Sequence, residues 1–221
     1  MATWKTLQAT AVEHLSRGDL GKAAHALVEA IELEPTEPQL YEQLIQVTLL
    51  GGSTQTAVSA AEELTRLQPD SPHASHLLVV SLLSQGEVDR AKTVLSEAIA
   101  RTPASVELLQ ASAQVATIEQ QPARALELLG QAAALAPRDA VVVNDYALSL
   151  LGAKRANEAR ALLEPLSAAN PKNASLRLSL SMVCVSLKDL AAARSHAMAA
   201  KDSDDPDTRT QAIALVNQLT R

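Results

Sequence analysis

The stretch from Pro72 to Pro103, PHASHLLVVSLLSQGEVDRAKTVLSEAIARTP, holds two apolar-periodic segments on either side of a glycine. In His73–Leu83 and Val88–Ala100 the apolar residues recur at three- and four-residue intervals, the spacing that gathers side chains on one side of a helix. Gly86 lies between them, where a short turn lets the chain reverse into an antiparallel helical hairpin. Ser71 is placed to cap the first helix, with Pro72 at its first helical position, where the missing N–H would have no partner anyway. Pro103 stops the second helix.

A single hairpin of this kind cannot bury all its apolar surface, so its stability depends on further copies. Prolines recur every 34 residues at Pro35, Pro69, Pro103, Pro137 and Pro171. Alanine keeps the same interval without a break at Ala23, Ala57, Ala91, Ala125, Ala159 and Ala193. The turn position reads Gly18, Gly52, Gly86, Gln120, Lys154 and Lys188, so its left-handed preference weakens toward the C-terminus while the phase holds. A third, mostly small ladder runs Ala11, Ile45, Val79, Ala113, Ala147, Ser181.

With these ladders the chain resembles the tetratricopeptide repeat family, whose signature is a 34-residue helix–turn–helix with small residues at helix crossings and a closing proline. The resemblance implies an all-α fold, a right-handed α-solenoid of antiparallel helix hairpins. It divides the chain into repeats at about 4–37, 38–71, 72–105, 106–139, 140–173 and 174–205, with a capping helix over 206–220. Small residues suit the crossings because helix axes approach to about 8 Å only where no large side chain intervenes. The family's aromatic positions are mostly aliphatic here, with Leu27, Leu95, Leu129 and Leu163 standing where a large ring is common. Trp4 precedes the usual tryptophan position by one turn, and the family role is not assigned to it. A leucine- and alanine-built core of thin layers is expected.

The 221 residues are expected to form one domain, 1–221, because a repeat array grows by stacking and needs no separate cores. At 47% hydrophobic and 20% charged, the composition is that of an ordered soluble chain. No apolar run reaches the 18 or so residues of a membrane span, and the N-terminus lacks an apolar signal core, so a cytoplasmic chain is expected. The lone Cys184, among Met182, Val183 and Val185, is expected to be a buried structural thiol. Net charge is −6, but residues 1–110 hold 7 basic and 14 acidic side chains and residues 111–221 hold 12 and 11. Such a distribution argues against nucleic-acid binding, which needs a clustered basic face.

Local signals add detail. Ser53 or Thr54 is expected to cap the second helix of repeat two, and Pro122 suits the first turn of a helix. Pro165, between Leu163 and Leu166, should kink or shorten its helix. In DSDDPD, residues 202–207, Asp205 can cap, Pro206 can begin the helix and Asp207 can complement the helix's positive end. The helix that follows is the expected solvating end of the array.

No catalytic constellation emerges: there is no glycine-rich phosphate loop, nucleophile elbow, metal-type cysteine spacing or H-E-x-x-H. No enzyme activity, cofactor or metal is expected. His73 and His76, with Glu42 and Glu107 at related positions, supply at most half a metal site, since a stable one takes three or four ligands. Function is therefore sought on the surface. In the family the first helices line a concave groove, and here they present one stripe of Val12, Gln46, Val80, Gln114, Leu148 and Met182. A neighbouring stripe reads Gln8, Glu42, His76, Gln110, Asn144 and Leu178, with Lys5, Gln39, His73, Glu107, Asp145 and Ser179 at the edge. Amides can donate to and accept from a peptide backbone, and aliphatic side chains form pockets beside them. The candidate groove residues are Gln46, Val80, Gln110, Gln114, Asn144, Leu148 and Met182.

Chaperone-binding members of the family grip an acidic C-terminus with lysine, asparagine and arginine. Here Gln8, Val12, Gln43, His73 and Leu77 stand in those places, and no such clamp is expected. The expected function is a non-catalytic scaffold that binds a peptide or helical segment of a partner protein. The alternatives are an export chaperone, or a subunit of a larger enzyme or secretion assembly.

Overall fold

The computed structural model describes residues 3–103 and 105–220, and among them every regular element is an α-helix. Thirteen helices alternate down the chain among these residues. The residue contacts gather into two compact units, one ending at Val115 and one beginning at Ala116. A solenoid repeat touches only its neighbours, so compactness in such a chain is local.

The first unit contains α1 (Trp4–Ser16), α2 (Leu20–Leu33), α3 (Pro38–Leu50), α4 (Thr54–Leu67), α5 (Pro72–Gln85), α6 (Val88–Arg101) and most of α7 (Val106–Ile118). From α1 to α6 each helix packs on the next, and the first helices α3 and α5 also touch. The second unit contains α8 (Pro122–Leu135), α9 (Ala140–Gly152), α10 (Ala156–Ala169), α11 (Ala174–Ser186), α12 (Leu190–Ala200) and α13 (Pro206–Gln218). There α9 touches α11, and α11 touches α13.

Burial follows the ladders. Ala23, Ala57, Ala91, Ala159 and Ala193 have no exposed surface and Ala125 has 4%. The second small ladder, Ala11 through Ser181, is equally enclosed. Leu27, Leu40, Leu64, Leu82 and Leu108 fill the first unit, and Leu150, Leu163, Leu176 and Leu180 the second, which gives the leucine and alanine core that the composition implies. Ser181 adds a polar tie, its hydroxyl donating to the Ala193 carbonyl at 2.6 Å across the sixth hairpin. One small residue is explained by an aromatic neighbour: a Cβ at Gly130 on α8 would lie 3.3 Å from the Tyr146 ring on α9.

The hairpin turns share one geometry. Gly18, Gly52 and Gly86 have φ of 72° to 84°, and Gln120, Lys154 and Lys188 adopt φ of 59°, 62° and 61° at the same step of the repeat. After each, the next residue's N–H reaches back five residues, as from Glu87 to the Leu82 carbonyl at 2.9 Å and from Asp189 to Cys184 at 2.9 Å. The left-handed residue itself donates to the carbonyl three residues back, completing a Schellman closure. The turn thus satisfies the carbonyls that the first helix would otherwise leave unpaired, whether or not it holds a glycine.

Helix starts divide into two kinds. First helices take side-chain caps: Thr3 in a capping box, then Glu37, Ser71, Asp139, Asn173 and Asp205. Ser105 does the same for α7, accepting from the Leu108 N–H at 3.3 Å. Second helices mostly start straight out of the turn; α12 is the exception, with Asp189 accepting from the Ala192 N–H at 3.2 Å, and Ser53 occupies the cap position of α4 without a side-chain cap hydrogen bond. The expectation of a Ser53 or Thr54 cap is corrected here. At Ser53 ψ is 63°, and from a similar backbone, ψ 73°, it is the longer Asp189 side chain that reaches a first-turn N–H. Asp205, Pro206 and Asp207 begin α13 as the sequence implies.

Pro165 does not shorten its helix. α10 keeps 14 residues, as many as α2, α4, α6 and α8. The proline faces solvent while Leu163, Leu166 and Ser167 beside it are buried, so packing holds the helix through the missing donor.

Candidate functional site: the first-helix face

On the first unit, residues of α3 and α5 line a groove of about 590 Å³. Ile45, Leu49, Leu77 and Val80 supply its apolar lining, while Glu42, Gln43, Gln46, His73 and Ser84 supply its polar lining. Spacing explains the grouping, because residues three and four apart share a helix face and the 34-residue step sets α3 beside α5. Leu50 at the groove's end is 62% exposed.

A polar row continues along this face. Glu42 approaches the His73 Nε2 at 4.0 Å, and Glu107 on α7 accepts from the Ser105 hydroxyl at 2.5 Å. That hydrogen bond, with one from its own backbone, holds the Glu107 carboxyl below its ordinary range, and the nearby His73 and His76 act in the same direction. Burial lowers His76, His73 reinforces the effect, and Glu107 opposes it. Its Nε2 is enclosed without a hydrogen-bond partner. Among the described residues no three histidine, cysteine, aspartate or glutamate side chains are grouped to hold a metal ion.

Of the expected groove residues in the first unit, Gln46 and Gln114 are exposed, Val80 and Gln110 are half-buried, and Gln46 and Val80 line one hollow. Gln8 is already engaged, its amide donating to Gln43 at 3.1 Å from α1 to α3. In the second unit Leu148 is half-buried and Met182 is 37% exposed. Asn144 is not a surface amide: it is buried, and its Oδ1 is enclosed without a hydrogen-bond partner. Leu178 and the edge residue Ser179 are likewise buried, Leu178 because α13 covers it. The second stripe therefore turns inward in this unit, where β-branched and leucine neighbours replace the polar residues of the first.

A second feature escaped the sequence reading. Hollows of 500 Å³ and 840 Å³ lie beside the turns of the first and fourth hairpins. Gly21 and Gly51 border the first, Ala123 and Ala153 the second. Between them the same two steps carry Gln55 and Gln85, joined by a 2.6 Å hydrogen bond, and then Asp89 and Glu119. The signal was a coincidence of small residues at paired steps, visible only once the pairing of helices is known.

The Cys184 thiol is 1% exposed, and burial pushes its pKa up despite Arg160 nearby, which suits a packed side chain and not a nucleophile. No helix among the described residues is long and apolar enough to cross a membrane.

Tetratricopeptide repeat family models match residues 9–72, 48–115 and 116–177. The chain belongs to the tetratricopeptide repeat family. No curated relative matches it in sequence. Among solved structures this tetratricopeptide repeat chain is similar to yeast Tom70, with a TM-score of 0.79 and 18% identity over 99% of this chain and 47% of that one. A tetratricopeptide repeat protein from Parabacteroides merdae ATCC 43184 gives 0.75 and 13%, over 99% of this chain and 84% of that one. YrrB, described as a tetratricopeptide repeat protein with an unusual peptide-binding site, gives 0.54 and 17%, over 86% and 97%. The chain spans about half the length of Tom70, and at these identities the likeness is one of fold. As a tetratricopeptide repeat, the chain has a fold generally used for protein–protein interaction.

Proposed function

We propose that this chain is a non-catalytic interaction scaffold that binds a peptide or helical segment of another protein along its first-helix face. The observation that carries the reading is the groove between α3 and α5, where Leu49, Leu77 and Val80 offer an apolar lining beside Glu42, Gln43 and Gln46. An aliphatic side chain gains free energy by leaving water there, and the flanking amides can satisfy the backbone groups desolvated with it. Gln110 and Gln114 extend the contact along α7, and the second unit offers Leu148 and Met182 on its own first helices. Asn144, being buried, makes none. The peptide-binding site named for YrrB supports the reading by analogy of fold.

Site-directed photocrosslinking in an extract of the source cells tests this. A photoreactive residue at Gln46 or Gln114 is expected to give a discrete adduct with one partner, and one at the exposed Glu97 of α6 is expected to give none. Adducts from Glu97 but not from Gln46 and Gln114 overturn the proposal. A smear of many unfolded proteins at Gln46 favours a chaperone instead.

A further inference from the structure

We infer that the first unit's groove selects a cationic, aliphatic-flanked segment and rejects an acidic tail, an inference that rests on the reading above and specifies its partner. α3, α5 and α7 contain no lysine or arginine, and their formal charges are Glu42 and Glu107. The unit's basic residues lie elsewhere, mainly on second helices, and two of the arginines there are engaged. Arg66 pairs with Glu63 at 2.7 Å, and Arg90 pairs with both Glu87 and Glu62 at 2.6 Å. Among the described residues no such cation pairs with Glu42, whose ion-pair contact is the His73 imidazole at 4.0 Å.

Geometry places this negative charge where it can be read. Glu42 borders the hollow lined by Leu49, Leu77 and Val80, so a side chain seated on those aliphatics has neighbours close to the carboxylate. Glu107 lies within electrostatic reach of His73 and His76 on the adjoining helix and is kept ionised by its hydrogen bonds. The unit as a whole supports the same sign, with 7 basic and 14 acidic residues through residue 110 and none in 111–115. A lysine or arginine beside an aliphatic residue meets attraction at close range and in the surrounding field, whereas a carboxylate terminus meets repulsion from both.

Phage display of a random peptide library on the full chain, with bound peptides then measured by fluorescence anisotropy, tests the inference. Peptides that combine lysine or arginine with leucine, isoleucine or valine are expected to dominate. Glu42→Gln is expected to weaken them about two- to fivefold, the range of an exposed ion pair. Val80→Glu is expected to abolish binding, and Glu97→Gln, the same charge change on α6, is expected to leave it unchanged. Circular dichroism of each variant checks that the helices remain. Equal losses for Glu42→Gln and Glu97→Gln overturn the inference by showing a general charge effect. Acidic or neutral peptides that still require Val80 overturn the cationic preference and leave the groove intact. Peptides indifferent to Val80→Glu, or no enrichment at all, overturn both.

Discussion

The left-handed residue of each hairpin turn carries a conformational demand that three side chains meet at a cost. Lys188 holds φ of 61° where Gly86 holds 84°. A Cβ in left-handed backbone costs about 1–2 kcal/mol, and at Gly86 nothing within 4 Å would add a clash. Gly86→Ala is therefore expected to lower stability by about 1 kcal/mol, and Lys188→Gly to raise it by up to about 1 kcal/mol after the entropy lost by a glycine. Urea unfolding of both variants checks the pair, and opposite signs are the outcome that supports it. His76 makes a second demand. Burial, reinforced by His73, holds its pKa below the ordinary 6.5, with Glu107 opposing. The unfolded chain then binds protons that the fold does not, so stability is full above about pH 6.5 and falls as pH is lowered through that value toward the folded pKa. Thermal midpoints measured from pH 7.5 to 5 are expected to decline less for His76→Gln than for the parent. The decline that remains has a source in His196, which burial lowers in the same direction.

At the scale of elements, the most exposed assignment is that of the last helix. α13 buries Ala212 and sets Leu215 against Leu178 and Ala200, closing the apolar side of the sixth hairpin. Without residues 206–221 the Leu178 side chain meets water, and a full leucine burial is worth about 1.5–3 kcal/mol. The truncated chain is expected to lose about that much and to self-associate, as thermal unfolding and light scattering will show. Equal stability and a monomer would sink the capping role. Among the other elements, the ladders of alanine and small residues were legible in sequence because a helix crossing excludes large side chains at fixed steps. The absence of a Ser53 cap was not legible, because cap chemistry is shared by any serine before a helix. The turn sends the Ser53 N–H back to the Thr48 carbonyl at 2.8 Å, and from the same turn geometry the longer Asp189 side chain reaches the Ala192 N–H while Ser53 makes no such bond.

For the whole molecule, nearest-neighbour packing predicts that damage stays local. Ala91 has no exposed surface, so Ala91→Leu is expected to overpack its crossing at a cost of about 1–3 kcal/mol. Hydrogen exchange should then quicken through the helices up to Val115 and change little beyond Ala116, as the two compact units imply. Uniform quickening across all helices would instead reveal a single cooperative unit.

Sequence alone determined the hairpin, its period, the alanine crossings and the start of α13, because each depends on local backbone preference or on volume at a repeated step. It also identified Gln46 and Val80 as neighbours, since a 34-residue step sets them on adjoining helices of one face. Tertiary structure decided the rest. Asn144 and Leu178 occupy the same step as Glu42 and His76, yet they are buried in the second unit, and the sequence step carries no record of how far a neighbouring helix covers it. The left-handed turns at Gln120, Lys154 and Lys188 were decided the same way, since closing the hairpin on its buried ladders outweighs the local preference of those residues for another backbone.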